Sequence, residues 1–384
     1  MDKKTVRELI QLCKDKKIKG YSGKTKAQIL ALLSPKPNYR ILSLFSGMGG
    51  MDIGFAEQVV VTRDSVDDQY VRSAHDVQGF VNLKRLPFEI VFQNDILPEA
   101  QAIATLNGWA KNYHLKDLRE LLAENFAFPS ADVVVGGFPC QDFSHAGLRQ
   151  GFASDRGTLY QSFVEVVRRV QPSMFVAENV QGILTMPGNP IQRIVADFSA
   201  VGYEVQYQLL RCEEHGIPQT RWRVILMGIR LDKRGGLGAG WNLVTENRRA
   251  CHVRPYLRHL TEPALSADIA QQVYSKAARL AKGQGQKEVG LDEFAPTMRA
   301  EHHGNIEFRR VSGGKHAVEE LGLGQRRLTV REVALIQTFP PDCKLAETVK
   351  QVGKAYKPIG NAVPPLLGYL VAHKVLEVLD RAQG

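Results

Sequence analysis

Four short apolar runs, each closing on a polar group, constrain this chain more than any other feature. Arg40-Ile41-Leu42-Ser43-Leu44-Phe45 leads into Ser46-Gly47-Met48-Gly49-Gly50, and Glu89-Ile90-Val91-Phe92 into Asn94-Asp95. Val133-Val134-Val135 leads into Gly136-Gly137-Phe138-Pro139-Cys140, and Met174-Phe175-Val176-Ala177 into Glu178-Asn179-Val180. Such runs read as buried strands with tight exits. Helical patterns, including an amphipathic stretch from Leu159 to Val170, lie between them. The alternation predicts a doubly wound α/β sheet whose ligands sit along the rim formed by the carboxyl ends of the strands. Further strands are expected at Tyr203 to Leu210 and Trp222 to Ile229.

That rim carries the candidate chemistry. Cys140 follows a proline at a strand exit, beside Gln141, Asp142 and Ser144. A thiol held partly exposed there ionises readily, and the thiolate is the reactive form. The alternative is a small buried hydrophobe, the usual fate of a lone cysteine. Glycines in the first strand-to-helix turn let a ligand approach the backbone. The dinucleotide fingerprint needs glycine where Asp52 stands, which disfavours a nicotinamide cofactor. Asp95 ends the second strand, where an acidic residue accepts hydrogen bonds from ribose hydroxyls or else caps the next helix. Asp117 occupies a similar position after a weaker third element.

The 384 residues, 44% hydrophobic, suffice for one large or two modest domains with a sizeable core. Five cysteines without a Cys-x-x-Cys pair fit neither a disulfide framework nor a zinc ribbon, so a reducing compartment is expected. His302 and His303 lack ligand spacing, and no metal is expected. No apolar stretch near roughly 18 residues is evident, which points to a soluble, cytoplasmic, nucleoid-associated protein. The net charge of +10 favours a polyanionic partner, nucleic acid first, against the alternative of ordinary solvated charge.

Residues 5 to 33 stand apart. Apolar positions at Val6, Leu9, Ile10 and Leu12, and again at Ile29, Leu30, Leu32 and Leu33, flank a basic run and the turn Gly20-Tyr21-Ser22-Gly23-Lys24-Thr25. The spacing fails the phosphate-loop pattern, and no strand precedes it. Two short helices around such a turn resemble a SAP module, a small DNA binder, over residues 1–35. Lys14, Lys16, Lys17, Lys19, Lys24 and Lys26 would then meet phosphates. A solubilising basic arm is the alternative. Residues 56 to 88 read as an insertion of uncertain structure, and Leu231 to Gln325, with clustered glycines and scattered arginines, as a smaller inserted domain. Its polar content suits groove contacts or a solvated face.

Taken in order, these motifs resemble the cytosine-C5 DNA methyltransferases. The resemblance rests on Phe45-Ser46-Gly47-Met48-Gly49-Gly50, Pro139-Cys140-Gln141-Asp142-Phe143-Ser144, Glu178-Asn179-Val180 and Gln219-Thr220-Arg221-Trp222-Arg223. It continues through Arg327-Leu328-Thr329-Val330-Arg331-Glu332, Gln337-Thr338-Phe339-Pro340 and Gly360-Asn361-Ala362-Val363-Pro364. It implies a doubly wound S-adenosylmethionine-dependent methyltransferase fold, with a catalytic domain over 39–230 and 326–384 and a target-recognition domain over 231–325. S-adenosylmethionine would lie against Phe45, Gly47, Gly49, Gly50, Asp95, Asp117 and Asn361.

The resemblance also implies that Cys140 adds to carbon 6 of a flipped cytosine, with Glu178 and Arg223 stabilising the charge on its ring. Gln141, Ser144, Arg221, Thr297 and Lys24 are expected to contact double-stranded DNA. Arg221 is also weighed as structural, because its neighbour Arg223 carries the family role. Thr297-Met298 departs slightly from the family's Thr-aliphatic pair. A monomer, paired with a cognate restriction endonuclease or solitary, is expected. A tRNA methyltransferase and a non-catalytic DNA-binding relative are the competing readings.

Overall fold

The structure is a computed structural model that describes residues 4–15, 21–26, 28–29, 38–139, 159–234, 247–276, 290–300, 308–309, 326–345 and 352–382. The chain divides into two compact units, residues 1–39 and 40–384.

In the first unit, the helix Val6–Asp15 starts with a capping box. The Thr5 amide donates to Glu8 Oε2 (2.6 Å), and the Glu8 amide donates to Thr5 Oγ1 (3.3 Å). The same reciprocal pair recurs between Thr25 and Gln28. Leu9, Cys13 and Ile29 are buried together, with Ile10, Leu12 and Tyr21 packed against them. Lys14, Lys24 and Lys26 are exposed, while Lys16, Lys17 and Lys19 lie outside the described residues.

The second unit begins with β1 (Tyr39–Leu44). A small antiparallel sheet follows, made of β2 (Val60–Thr62), β3 (Val71–Ala74) and β4 (Phe80–Leu83). Next come β5 (Phe88–Asp95), β6 (Tyr113–Leu115), β7 (Val133–Gly136), β8 (Met174–Val180) and β9 (Tyr203–Arg211). After the short β10 (Gln219–Thr220), β11 (Trp222–Arg230) completes the large sheet. Among the described residues that sheet has seven strands in the order β6-β5-β1-β7-β8-β11-β9. β6 is parallel to β5, and β7 to both β1 and β8, whereas β11 is antiparallel to β8 and β9. The chain builds outward from β1 through β5 to β6, then crosses to β7 on the other side. That reversal opens a crevice at the carboxyl ends of β1 and β7, where open α/β sheets take ligands.

All four residues of β7 and the first six of β8 are buried, as strands covered on both faces require. The helices Leu159–Val170 and Pro190–Ala200 contribute Phe163 and Phe198 to the core on one face. Phe198 stacks on Phe175 of β8 with ring centroids 3.9 Å apart. Burying such a ring stabilises the fold by about 1.5–3 kcal/mol. The closing helix Pro365–Ala382 packs against the helix Gly50–Ala56. By length and composition the helical stretch Gly353–Ala382 would suit a membrane, but 72% of its apolar window is buried inside the protein. Its hydrophobicity serves the core.

Residues 56–88 are ordered around the three-stranded sheet and tied to the later segment: Ser65 Oγ hydrogen-bonds Tyr256 Oη (2.7 Å), and Asn247 Nδ2 donates to the Ser65 carbonyl (2.9 Å). A helix also spans Val352–Asn361 with Pro358 inside it. Proline removes one main-chain donor there without ending the helix. Of the scattered arginines in the later segment, Arg248 pairs with Glu214, Arg249 with Asp67 and Arg254 with Asp292.

Candidate active site

A cavity of about 640 Å³ occupies the crevice. The turn after β1 forms its floor. Gly47 and Gly49 hold φ of +54° and +93°, a region that glycine enters without steric cost. Gly50 is required for another reason: a Cβ there would lie 2.2 Å from the Val363 carbonyl oxygen, so only hydrogen lets the closing Asn361-Ala362-Val363 segment come this near.

Asp95, at the end of β5, holds this turn. One carboxylate oxygen accepts from the Gly47 amide (2.8 Å), and the other accepts from Ile96 (2.7 Å) and Leu97 (2.9 Å). Asp95 lines the cavity and braces the segment before the helix Pro98–Leu106, whose N-cap is Leu97 and not Asp95. Burial pushes its carboxyl above the ordinary range, opposed by those amides. Asp117 also lines the cavity, but it caps the helix Leu118–Ala123 and pairs with Arg119 at 2.7 Å. The Arg119 guanidinium holds its carboxyl below the ordinary range.

On the far wall, Arg223 Nε lies 2.7 Å from Glu178 Oε1, with both side chains largely buried. The strand register explains the meeting. Ile225 of β11 stands opposite Glu178 of β8, and Arg223, two residues along, presents its side chain on the same face. Asn179 Nδ2 donates to the Phe138 carbonyl (3.1 Å) and fixes the strand exit as far as Pro139, which lines the cavity. Cys140, Gln141 and Ser144 lie outside the described residues.

Phe45, Gly47, Gly50, Asp95, Asp117, Glu178, Arg221, Arg223 and Asn361 thus line one cavity, and Gly49 caps the helix behind the turn. Thr297 lies outside that cavity, in an adjoining groove with Thr220, Trp222 and Arg223, and its hydroxyl donates to the Thr220 carbonyl (2.8 Å). Lys24 belongs to the other unit.

Arg221, expected to contact DNA, is 1% exposed and serves the interior instead. Its guanidinium donates to the carbonyls of Met298 (3.0 Å), Gly360 (3.2 Å) and Ala362 (2.9 Å). Burial pulls its pKa down to about 9, which leaves it a cation at neutral pH. Gln219 and Gln337 extend the same network, Gln219 Nε2 donating to Gln337 Oε1 (2.6 Å) and Gln337 Nε2 to the Ile359 carbonyl (2.6 Å). Both glutamines stood in quoted motifs, yet nothing in their spacing assigned them this task. Lys357 and Asp52, also in the cavity wall, were not picked out as site residues.

The cavity suits an adenosyl cofactor. Its volume falls in the ligand range, it has an acidic group at the β5 end beside the apolar Ile96 and Leu97, and its glycine turn leaves the backbone accessible. Among the described residues, no group of three His, Cys, Asp or Glu side chains could hold a metal ion. A crevice of this kind on a sheet of this order is the ligand site of a doubly wound α/β fold.

The chain belongs to the C-5 cytosine-specific DNA methylase family, whose description matches residues 39–377. It is 33% identical over 365 residues to the type II methyltransferase M.BspRI of Lysinibacillus sphaericus, covering 88% of this chain and 82% of that protein. It is 31% identical over 355 residues to M.BsuRI of Bacillus subtilis, covering 87% and 78%. Among solved structures, the S. pombe Dnmt2 methyltransferase superposes with a TM-score of 0.59 at 17% identity, covering 88% of this chain and 99% of that one. A putative DNA modification methyltransferase encoded within an E. coli prophage gives the same TM-score and identity, covering 89% and 100%. These last two likenesses are of fold. As a member of the family, the chain is a DNA cytosine methyltransferase with S-adenosylmethionine as methyl donor.

Proposed function

We propose that the protein methylates carbon 5 of one cytosine, flipped from a specific duplex site, through a transient bond from Cys140, and that it is the modification half of a restriction–modification system. The contact between Glu178 and Arg223, in the same cavity as the glycine turn and Asp95, carries this reading. The names of the type II relatives support the biological setting.

Carbon 5 of cytosine is a weak nucleophile. The Cys140 thiolate adds to carbon 6 and drives electron density across the ring. Negative charge then develops at nitrogen 3 and the exocyclic oxygen, and Glu178 and Arg223 stabilise those atoms from a preorganised wall. The bound donor supplies an electrophilic methyl on a sulfonium. Carbon 5 takes that methyl, a base removes the proton from the same carbon, and Cys140 leaves. The Gly47 turn, Asp95, Phe45 and Asn361 hold the donor. Asp117 contributes less, because Arg119 already engages its carboxylate.

Residues 231–325 read the target sequence, with Thr297 in the groove that it shares with Arg223. Gln141 and Ser144 fill the space the base leaves and approach the phosphates. The N-terminal unit acts as a SAP-like module, in which Lys24 and its neighbours add phosphate contacts. The enzyme works in the cytoplasm on nucleoid DNA.

A duplex containing 5-fluorocytosine, given with the methyl donor, should trap the wild type covalently and leave Cys140→Ser untrapped. Equal methylation by both proteins would defeat the covalent assignment. Tritium transfer to tRNA in place of DNA would defeat the substrate assignment.

A further inference from the structure

We infer that Asp52 is a positioning residue for the methyl donor, its ionised carboxylate holding the Ser46–Gly49 turn in its binding shape through Ser43 and Gln93. The inference rests on the assignment of that turn to the donor.

Asp52 is 1% exposed in the cavity wall, on the helix Gly50–Ala56. Ser43 Oγ donates to its Oδ1 (2.6 Å) and Gln93 Nε2 to its Oδ2 (2.6 Å). Both donors are neutral, so no ion pair explains the buried charge. A network extends beyond them. Ser46 Oγ reaches both Ser43 Oγ (2.9 Å) and the Ser43 carbonyl (3.1 Å), the Asn94 amide donates to Ser46 Oγ (3.2 Å), and the Lys111 amide donates to Gln93 Oε1 (2.8 Å). The network joins β1, β5 and the first turn of the helix, the three elements from which the turn is hung.

A proton on Asp52 turns one acceptor into a donor among donors. Gln93 Nε2 can only donate and keeps the unprotonated oxygen, so Ser43 must turn from donor to acceptor, and its tie to Ser46 is rearranged. Burial pushes the carboxyl up to about 6, against the two hydrogen bonds. Glu57 at the end of the same helix and Asp95 at the end of β5 push in the same direction. Glu57 is itself paired with Lys111 (3.1 Å) and Arg85 (3.4 Å). From β6, Tyr113 faces the turn, its hydroxyl donating to the Gly47 carbonyl (2.8 Å). Lys357, from the helix Val352–Asn361, acts on Asp95.

The test is equilibrium binding of S-adenosylmethionine and its demethylated product to the full chain between pH 5 and 8.5. If only the ionised form binds, the apparent Kd of the wild type should rise about fourfold at pH 5.5 and about tenfold at pH 5 over its value at pH 8. Asp52→Asn keeps the shape and cannot titrate. It should bind more weakly at pH 8, with no further change down to pH 5, and its steady-state defect should sit in KM for the donor more than in kcat. Ser43→Ala should fall between the two. Thermal unfolding of each variant establishes that it is folded. Wild-type affinity in Asp52→Asn, or an acid limb that survives in it and so belongs to Asp95, would overturn the inference. A wild type that binds no donor at pH 8 would sink the reading of the cavity itself, and this inference with it.

Discussion

Replacing Asp52 by asparagine removes a buried charge at almost constant shape, and its effect on folding can be sized. The rise of the carboxyl pKa from its ordinary value to about 6 corresponds to about 3 kcal/mol of stability lost to burying the charge. The sign follows from the proton balance. Below the ordinary aspartate range both folded and unfolded chains keep the proton, and the cost is absent. As pH rises towards 6 the unfolded chain releases its proton while the folded one retains it, so stability falls. Above about 6 the loss levels off. Asparagine carries no such loss, though its amide must face Ser43 or Gln93, at a cost of about 1 kcal/mol. Urea unfolding of both proteins from pH 4 to 8 should therefore show the difference moving in favour of Asp52→Asn by about 2.5 kcal/mol, ending with a variant more stable than the wild type at pH 8. A difference that stays constant with pH would refute the reasoning. Gained stability together with weakened donor binding would mark a residue kept for function at the expense of the fold.

Further outcomes follow from other parts of the structure. Arg221→Lys keeps a charge but cannot reach three carbonyls at once, so it should cost about 1–3 kcal/mol while leaving the salt dependence of DNA binding unchanged. A slope reduced by about one would show that Arg221 meets a phosphate after all. Gly50→Ala drives a Cβ to 2.2 Å from the Val363 carbonyl and should lower stability by roughly 1–3 kcal/mol, together with donor affinity; an unchanged Tm would contradict the packing. Deleting residues 1–35 should weaken DNA binding and flatten its salt dependence without altering the site methylated, as bisulfite sequencing would report. A changed site would assign sequence reading to the N-terminal unit.

Much of the sheet and most of its rim were legible because the signals are local. An apolar run that ends on Gly47, Asp95, Gly137 or Glu178 states both a strand and the chemistry at its exit, and those residues converge because parallel strands share one carboxyl edge. Residues 56–88 gave no such signal, since their strands are three or four residues long and draw support from Tyr256 and Asn247, far along the chain. Arg221 and Arg223 were beyond any local rule. They are the same amino acid two positions apart, and only the register of β11 on β8 turns Arg223 to Glu178, while the closing segment buries Arg221 among carbonyls. Asp52 is the sharpest case. The sequence displays a carboxylate in a glycine turn, but its burial, its two neutral donors and its raised pKa exist only once β1, β5 and the helix Gly50–Ala56 have closed around it, because desolvation belongs to the folded surroundings and not to the residue.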